Sequence, residues 1–186
     1  IATRKLIGAF EASGSLPDDQ PICTDGEIRL FADASTAAEI GISADSSLAS
    51  GLAAHLGRLT AGDYAAFLAI IPQEPATIAA LQAIRVAARD RYHVATCVGF
   101  GPRFLHSTGQ AYKGGPNTGV FVQITCDDAH DLAVPGHRYS FGTAKAAEAR
   151  GDFAVLAERG RRALRIHLGK DVTAGLNRLL TAIHRA

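Results

Sequence analysis

Three short runs most narrow what this chain can fold into: HVATCVGF (93–100), GVFVQITC (119–126) and RALRIHLG (162–169). Each has the length and the β-branched or aliphatic content of a buried strand, and glycine punctuates them. Stretches with helical periodicity lie between them. Strands that alternate with helices predict βα units, and hence an α/β fold of three layers with a mainly parallel sheet flanked by helices.

The remaining pattern fills in that frame. Spacing of apolar residues predicts a helix over 2–13, ended by Gly14. A second covers 46–59, with Leu48, Leu52, Leu56 and Leu59 on one face. A third covers 75–92, where Pro75 suits the first turn and Ile78, Leu81, Ile84 and Ala88 share a side. A closing helix covers 172–185. EIRLFAD (27–33) reads as a further short strand. TAGDYAAFLAII (60–71) reads as a helix, with a strand as the less favoured alternative. AKAAEARGDFAVLAERG (144–160) reads as two helices broken at Gly151.

With 186 residues the chain suits one domain, 1–186, with a real core. A net charge of +1 lacks the basic excess of a nucleic-acid binder, though a local cluster could still hold a small anion. No apolar run reaches the roughly 18 residues of a membrane helix, and the start lacks a signal-peptide pattern. Cys23, Cys97 and Cys126 have no CxxC spacing, which reads as buried thiols in a reducing cytoplasm. The first helix begins without a cap at Ile1, so the chain is expected to be a piece of a longer polypeptide.

Function is concentrated in GPRFLHSTGQAYKGGPNTG (101–119). It starts where the run 93–100 ends, and open α/β sheets bind ligands beyond the carboxyl ends of their strands. Arg103 and Lys113 suit an anion, and His106 can trade a proton near neutral pH. The plainer reading is a glycine-rich connection with a structural histidine and a lysine lying over apolar surface. Neither a Walker A nor a dinucleotide fingerprint is present. Elsewhere, His55 reads as structural. His130 and His137, near Asp127, Asp128 and Asp131, match no metal-ligand spacing. Arg159, Arg161 and Arg162 read as a solvated or interface cluster.

FGPRFLHSTGQAYKGGPNTGVFVQIT (100–125) resembles the C-terminal part of the phosphoglucose isomerase half of bifunctional transaldolase/phosphoglucose isomerases. DLAVPGHRYSFGTAKAAEARGDFAVLAERGRRALRIHLG (131–169), GDYAAFLAIIP (62–72) and IATRKLIGAFEASGSLP (1–17) are similar to other parts of that family. The resemblance implies a sugar-isomerase (SIS) type domain that helps interconvert glucose 6-phosphate and fructose 6-phosphate, with no metal or cofactor. LHSTGQ is similar to the segment whose histidine assists ring opening, which implies that role for His106. Arg103, Ser107, Thr108, Gln110 and Lys113 would line the substrate. The family's proton shuttle is an upstream glutamate, and Glu74 in IIPQEPA is the carboxylate at that place. Its plainer reading is a solvated residue ahead of a helix. The family's DQPxV segment with its lysine is not matched, since DDQPICTDG (18–26) shares only DQP. The resemblance implies partner domains upstream, an N-terminal SIS domain and a transaldolase barrel, and sites shared between subunits of a homodimer. The isolated chain is expected to be inactive or nearly so. A non-catalytic sugar-phosphate-binding module and a structural dimerisation domain are the alternatives.

Overall fold

The computed structural model describes residues 2–185. Its strands are β1 (Cys23–Asp25), β2 (Ile28–Phe31), β3 (Tyr64–Ile70), β4 (Ala95–Phe100), β5 (Gly119–Thr125) and β6 (Arg162–His167). They form one sheet in the order β1-β2-β6-β5-β3-β4. β4, β3, β5 and β6 run parallel, and the β1–β2 hairpin adds two antiparallel strands beside β6. Two residues close that hairpin, and Gly26 takes a φ of +64° there. A left-handed turn residue is what a two-residue hairpin loop requires.

The helices are α1 (Ala2–Ser13), α2 (Ala34–Glu39), α3 (Leu48–Leu56), α4 (Pro75–Tyr92), α5 (Thr108–Gly114), α6 (Phe141–Glu158) and α7 (Val172–Arg185). Local chemistry starts several of them. Asp33 accepts from Thr36 N at α2, Ser47 and Ser50 form a reciprocal box at α3, and Ser140 accepts from Thr143 N at α6. α3, α4 and α7 cover one face of the sheet, packing Leu52, Leu81, Ile84 and Leu179 on Val120, Val122, Ile124 and Leu164. α5, α6 and the turn 103–106 ahead of α5 cover the other face through Phe104, Tyr112, Phe153 and Leu156. The three-layer α/β architecture expected from the strand–helix alternation is thus present.

Two expectations are corrected. Residues 60–71 are not a helix. Tyr64–Ile70 form β3, whose residues are buried from Ala65 to Ile70. A strand covered on both faces is apolar throughout, so AAFLAI shows no period of two and imitates a buried helix. Nor does Gly151 break a helix, because α6 runs unbroken through it. Gly151 instead lets α1 cross: a Cβ there would lie 2.8 Å from the backbone nitrogen and the hydroxyl of Thr3. α1 buries no residue fully, so this close approach and its half-buried apolar side hold it on α6.

In the basic cluster near β6, Arg159 is exposed, whereas Arg161 and Arg162 turn inward. Arg161 is buried and donates from Nη2 to the carbonyls of Lys113 and Gly115, each at 2.7 Å. Arg162 donates from Nη1 to Asp63 Oδ2 at 2.7 Å and to the Arg58 carbonyl at 3.0 Å. The Asp63 carboxyl is held down to about 2, chiefly by that Arg162 bond. These arginines staple the loops at the amino ends of the parallel strands.

His55, in α3, is fully buried and donates from Nε2 to the Phe121 carbonyl at 3.0 Å. Burial pushes its pKa down to about 3, so the ring is neutral in the folded protein. The unfolded chain protonates it near 6.5. Stability from this residue is therefore complete above pH 6.5 and falls as pH drops from there toward 3. A His55→Gln variant, which keeps a donor for Phe121, is expected to flatten that decline by up to about 1.4 kcal/mol per pH unit, read from urea unfolding between pH 6.5 and 4.5. Gly151→Val is expected to lift α1 from α6 while leaving the sheet folded, seen as faster tryptic cleavage at Arg4 and Lys5 than in the wild type.

Candidate functional site

The parallel strands place four loops at one end of the sheet. β3 leads to α4 and then to β4 on one side, whereas β4 returns past β3 to β5, and α6 continues to β6. The strand order reverses between β3 and β5, and crevices in open α/β sheets form at such reversals. A cavity of about 650 Å3 extends from there over β6 to β2, lined by Ile70 of β3, Thr125 of β5, Arg165 of β6 and Phe31 of β2, and by Phe10 and Leu16 from the α1 side.

Its floor is built by cross-strand register. Ile70, Thr125, His167 and Arg29 are successive partners across β3, β5, β6 and β2, and Leu68, Gln123, Arg165 and Phe31 form the next row. Residues in register on one face lie side by side. The sheet face under α6 therefore carries polar and cationic groups, while the opposite face is apolar. Gln123 donates to the Ala149 carbonyl of α6 at 3.0 Å. The Arg165 guanidinium lies 3.9 Å from the Phe31 ring centre, a cation–π contact.

His167 links two neighbours. Its Nδ1 lies 3.0 Å from the Thr125 hydroxyl and its Nε2 3.1 Å from Asp127 Oδ1. Burial, then the charge of Arg29, pushes the imidazole pKa down. In the neutral ring Nε2–H donates to Asp127 and Nδ1 accepts from Thr125. The chain hydroxyl–imidazole–carboxylate can relay a proton or hold a hydroxylated ligand. The other charges are mostly matched. Lys145 pairs with Asp128, Asp131 accepts from Gly142 N at 2.7 Å, and Arg29 stands 3.9 Å from Asp127. Arg165 and Arg150 share one carboxylate, Asp19.

The residues singled out from sequence lie elsewhere. Arg103 and His106 occupy a single 3-10 turn (Arg103–His106) directly after β4, and both are exposed. Ser107 and Thr108 are exposed at the start of α5, and Gln110 donates to the Leu105 carbonyl at 3.4 Å. Glu74 is exposed at the start of α4 and makes no capping bond. The loops carrying Glu74 and His106 leave adjacent parallel strands at the same end. Lys113 points inward instead, its ammonium on the buried carboxylate of Asp152 in α6. None of these residues lines the cavity. Arg29, Arg150, Arg165 and His167 were not singled out for a site. For Arg165 and His167 the signal is in the strand: LRIH, like QIT, puts polar side chains at every second position of a buried run. Among the described residues, no group of three or more His, Cys, Asp or Glu is arranged to hold a metal ion. No helix among them is long and apolar enough to cross a membrane.

No protein-family model matches the chain, and no curated protein matches it. Among solved structures it is similar to a hypothetical protein from Thermus thermophilus, with a TM-score of 0.63 and 15% identity. The match covers 74% of this chain and 37% of that one, so the chain spans little more than a third of that protein's length. At this identity the likeness concerns the fold alone.

The inward course of Lys113 yields a prediction. Burial raises the Asp152 carboxyl and Lys113 opposes that rise, so removing the lysine strands a buried acid. Lys113→Met is expected to cost about 3 kcal/mol in urea unfolding, and a Lys113→Met, Asp152→Leu double variant to recover most of it. A lysine that only met substrate would leave stability unchanged.

Proposed function

We propose that this chain is the C-terminal SIS-like domain of a phosphoglucose isomerase, within a bifunctional transaldolase/isomerase of the cytoplasm. One observation carries the reading: the resemblance of FGPRFLHSTGQAYKGGPNTG to that family's ring-opening segment. The exposure of His106 at the carboxyl end of β4 is compatible with a substrate held against a neighbouring domain. His106 would move the proton that opens the sugar ring, Arg103, Ser107, Thr108 and Gln110 would position the substrate, and a glutamate would carry the proton between C1 and C2. Glu74 is the candidate on this chain, since its loop leaves the strand next to that of His106. No organic cofactor or metal takes part in this scheme. Upstream domains would supply the phosphate loops, so the isolated chain is expected to show little turnover.

His106→Ala in the full-length protein is expected to lower kcat for glucose 6-phosphate isomerisation by about a hundredfold or more while the assembly state, read by light scattering, stays the same. Full activity in that variant would remove His106 from the mechanism.

A further inference from the structure

The two edges of the sheet are finished differently. At one edge β1 is only three residues long and ends in the charged Asp25. At the other, β4 runs for six residues, and among the described residues no strand pairs with its outer side. Open edges are normally guarded by charge, proline or a bulge. ATCVGF has neither charge nor proline, and its register with β3 runs without a bulge. The ladder shows which groups are left open. Gly101 N–H donates inward to the Ala69 carbonyl at 2.7 Å, whereas Tyr64 N–H donates away from β4, to the Thr118 carbonyl at 2.9 Å. In a parallel ladder successive residues alternate between their two neighbouring strands. Ala95, Cys97 and Gly99 therefore bond to β3, and Thr96, Val98 and Phe100 turn both N–H and C=O outward.

This edge is complementary to itself. Set antiparallel about a two-fold axis at Val98, two β4 strands place Val98 opposite Val98 and Thr96 opposite Phe100, each a pair that exchanges both backbone bonds. The far side of β4 carries only Ala95, Cys97 and Gly99, too small to hold the strands apart. α4 lies over β3 and β4. Strands are spaced about 4.8 Å and packed helices about 8–10 Å, so the α4 helices of two copies meet side by side and antiparallel. Thr77, Leu81, Ile84 and Ala88 are the buried row of α4. Beside it Ile78, Gln82, Arg85 and Arg89 form a second row at helical spacing. That row lies on the β4 side, since Arg85 Nη1 stands 3.4 Å from the Thr96 hydroxyl. Ile78 on it is 37% exposed. The row is also sorted by charge, with Glu74 ahead of the first turn and Arg85 and Arg89 in the second half. Two such rows running antiparallel set Glu74 of each copy against the arginines of the other.

We propose that β4 and the Ile78–Arg89 row of α4 form a two-fold interface with a second copy of this chain, joining the two sheets through Thr96, Val98 and Phe100. The occupant is a second copy because one rotation satisfies both the backbone register and the charges. An unrelated strand would meet the open backbone groups but not the Glu74–Arg89 pairing. The surface is drawn from the sheet edge and α4 alone and does not rest on the isomerase reading.

Sedimentation velocity on the 186-residue chain, over a dilution series, tests this. The chain is expected to sediment as a reversible dimer. Val98→Pro is expected to sediment as a monomer. It removes an N–H that points outward, so no bond within the chain is lost, and circular dichroism with urea unfolding checks that it is folded. Glu74→Arg is expected to weaken dimerisation about tenfold by setting like charges together, and Glu74→Arg combined with Arg89→Glu to restore it. Both positions are exposed on one chain, so these changes spare the fold. A chain that stays monomeric overturns the interface, as does a dimer that a folded Val98→Pro variant keeps. A Glu74→Arg variant of unchanged affinity, or an exchanged pair that restores nothing, overturns the antiparallel setting of α4. Because the readout is mass and not turnover, failure here leaves the His106 reading standing, and an inactive role for His106 leaves this surface standing.

Discussion

β3 and β5 are the constraint on which the architecture turns. They are neighbours in register, and apart from Tyr64 at the start of β3 every residue on them is buried. Parallel strands cannot be joined by tight turns, so each must be followed by a crossover helix, and burying both faces requires helices on both. α4 leaves β3 to one face and α6 leaves β5 to the other. The two helices part above the carboxyl ends of adjacent strands, and the gap between them follows from the topology rather than from any one side chain.

The two faces of the sheet then meet different demands. Under α3, α4 and α7 the packing is mainly apolar, and His55, a polar group buried there, is kept neutral and bonded to a carbonyl. Under α6 the sheet holds Gln123, Arg165, Thr125 and His167, side chains that cost stability when buried and return little of it even when paired. Apolar residues at those places would build a firmer core. Their presence is the physical reason to look for a function on this face, and the helix above it also receives Lys113 on Asp152 and sends Arg150 to Asp19.

Much of this was legible in the residues. The runs 93–100, 119–126 and 162–169 became β4, β5 and β6, and Pro75 marks the first residue of α4. β3 was hidden because a doubly covered strand has no alternation to read. β1 was passed over although Asp25-Gly26, a strong hairpin signal, stands at its end. The site divides in the same way. His106 and Arg103 were placed correctly beyond the carboxyl end of a strand, because that follows from local order. The arginine cavity draws on Asp19, Arg29, Arg150 and Arg165, residues far apart in sequence that only sheet register and the α1–α6 crossing bring together.

That crossing also separates the cavity's roof from its floor in the hierarchy of native-state openings. α1 is held by a glycine-mediated backbone approach and half-buried side chains, whereas β5 beneath is fully buried. In amide hydrogen exchange such a helix belongs to the least protected cooperative unit and central strands to the most protected. The cavity is thereby a seam between two units of unequal stability, one that admits solvent through a subglobal fluctuation of its first helix without the central strands losing a hydrogen bond.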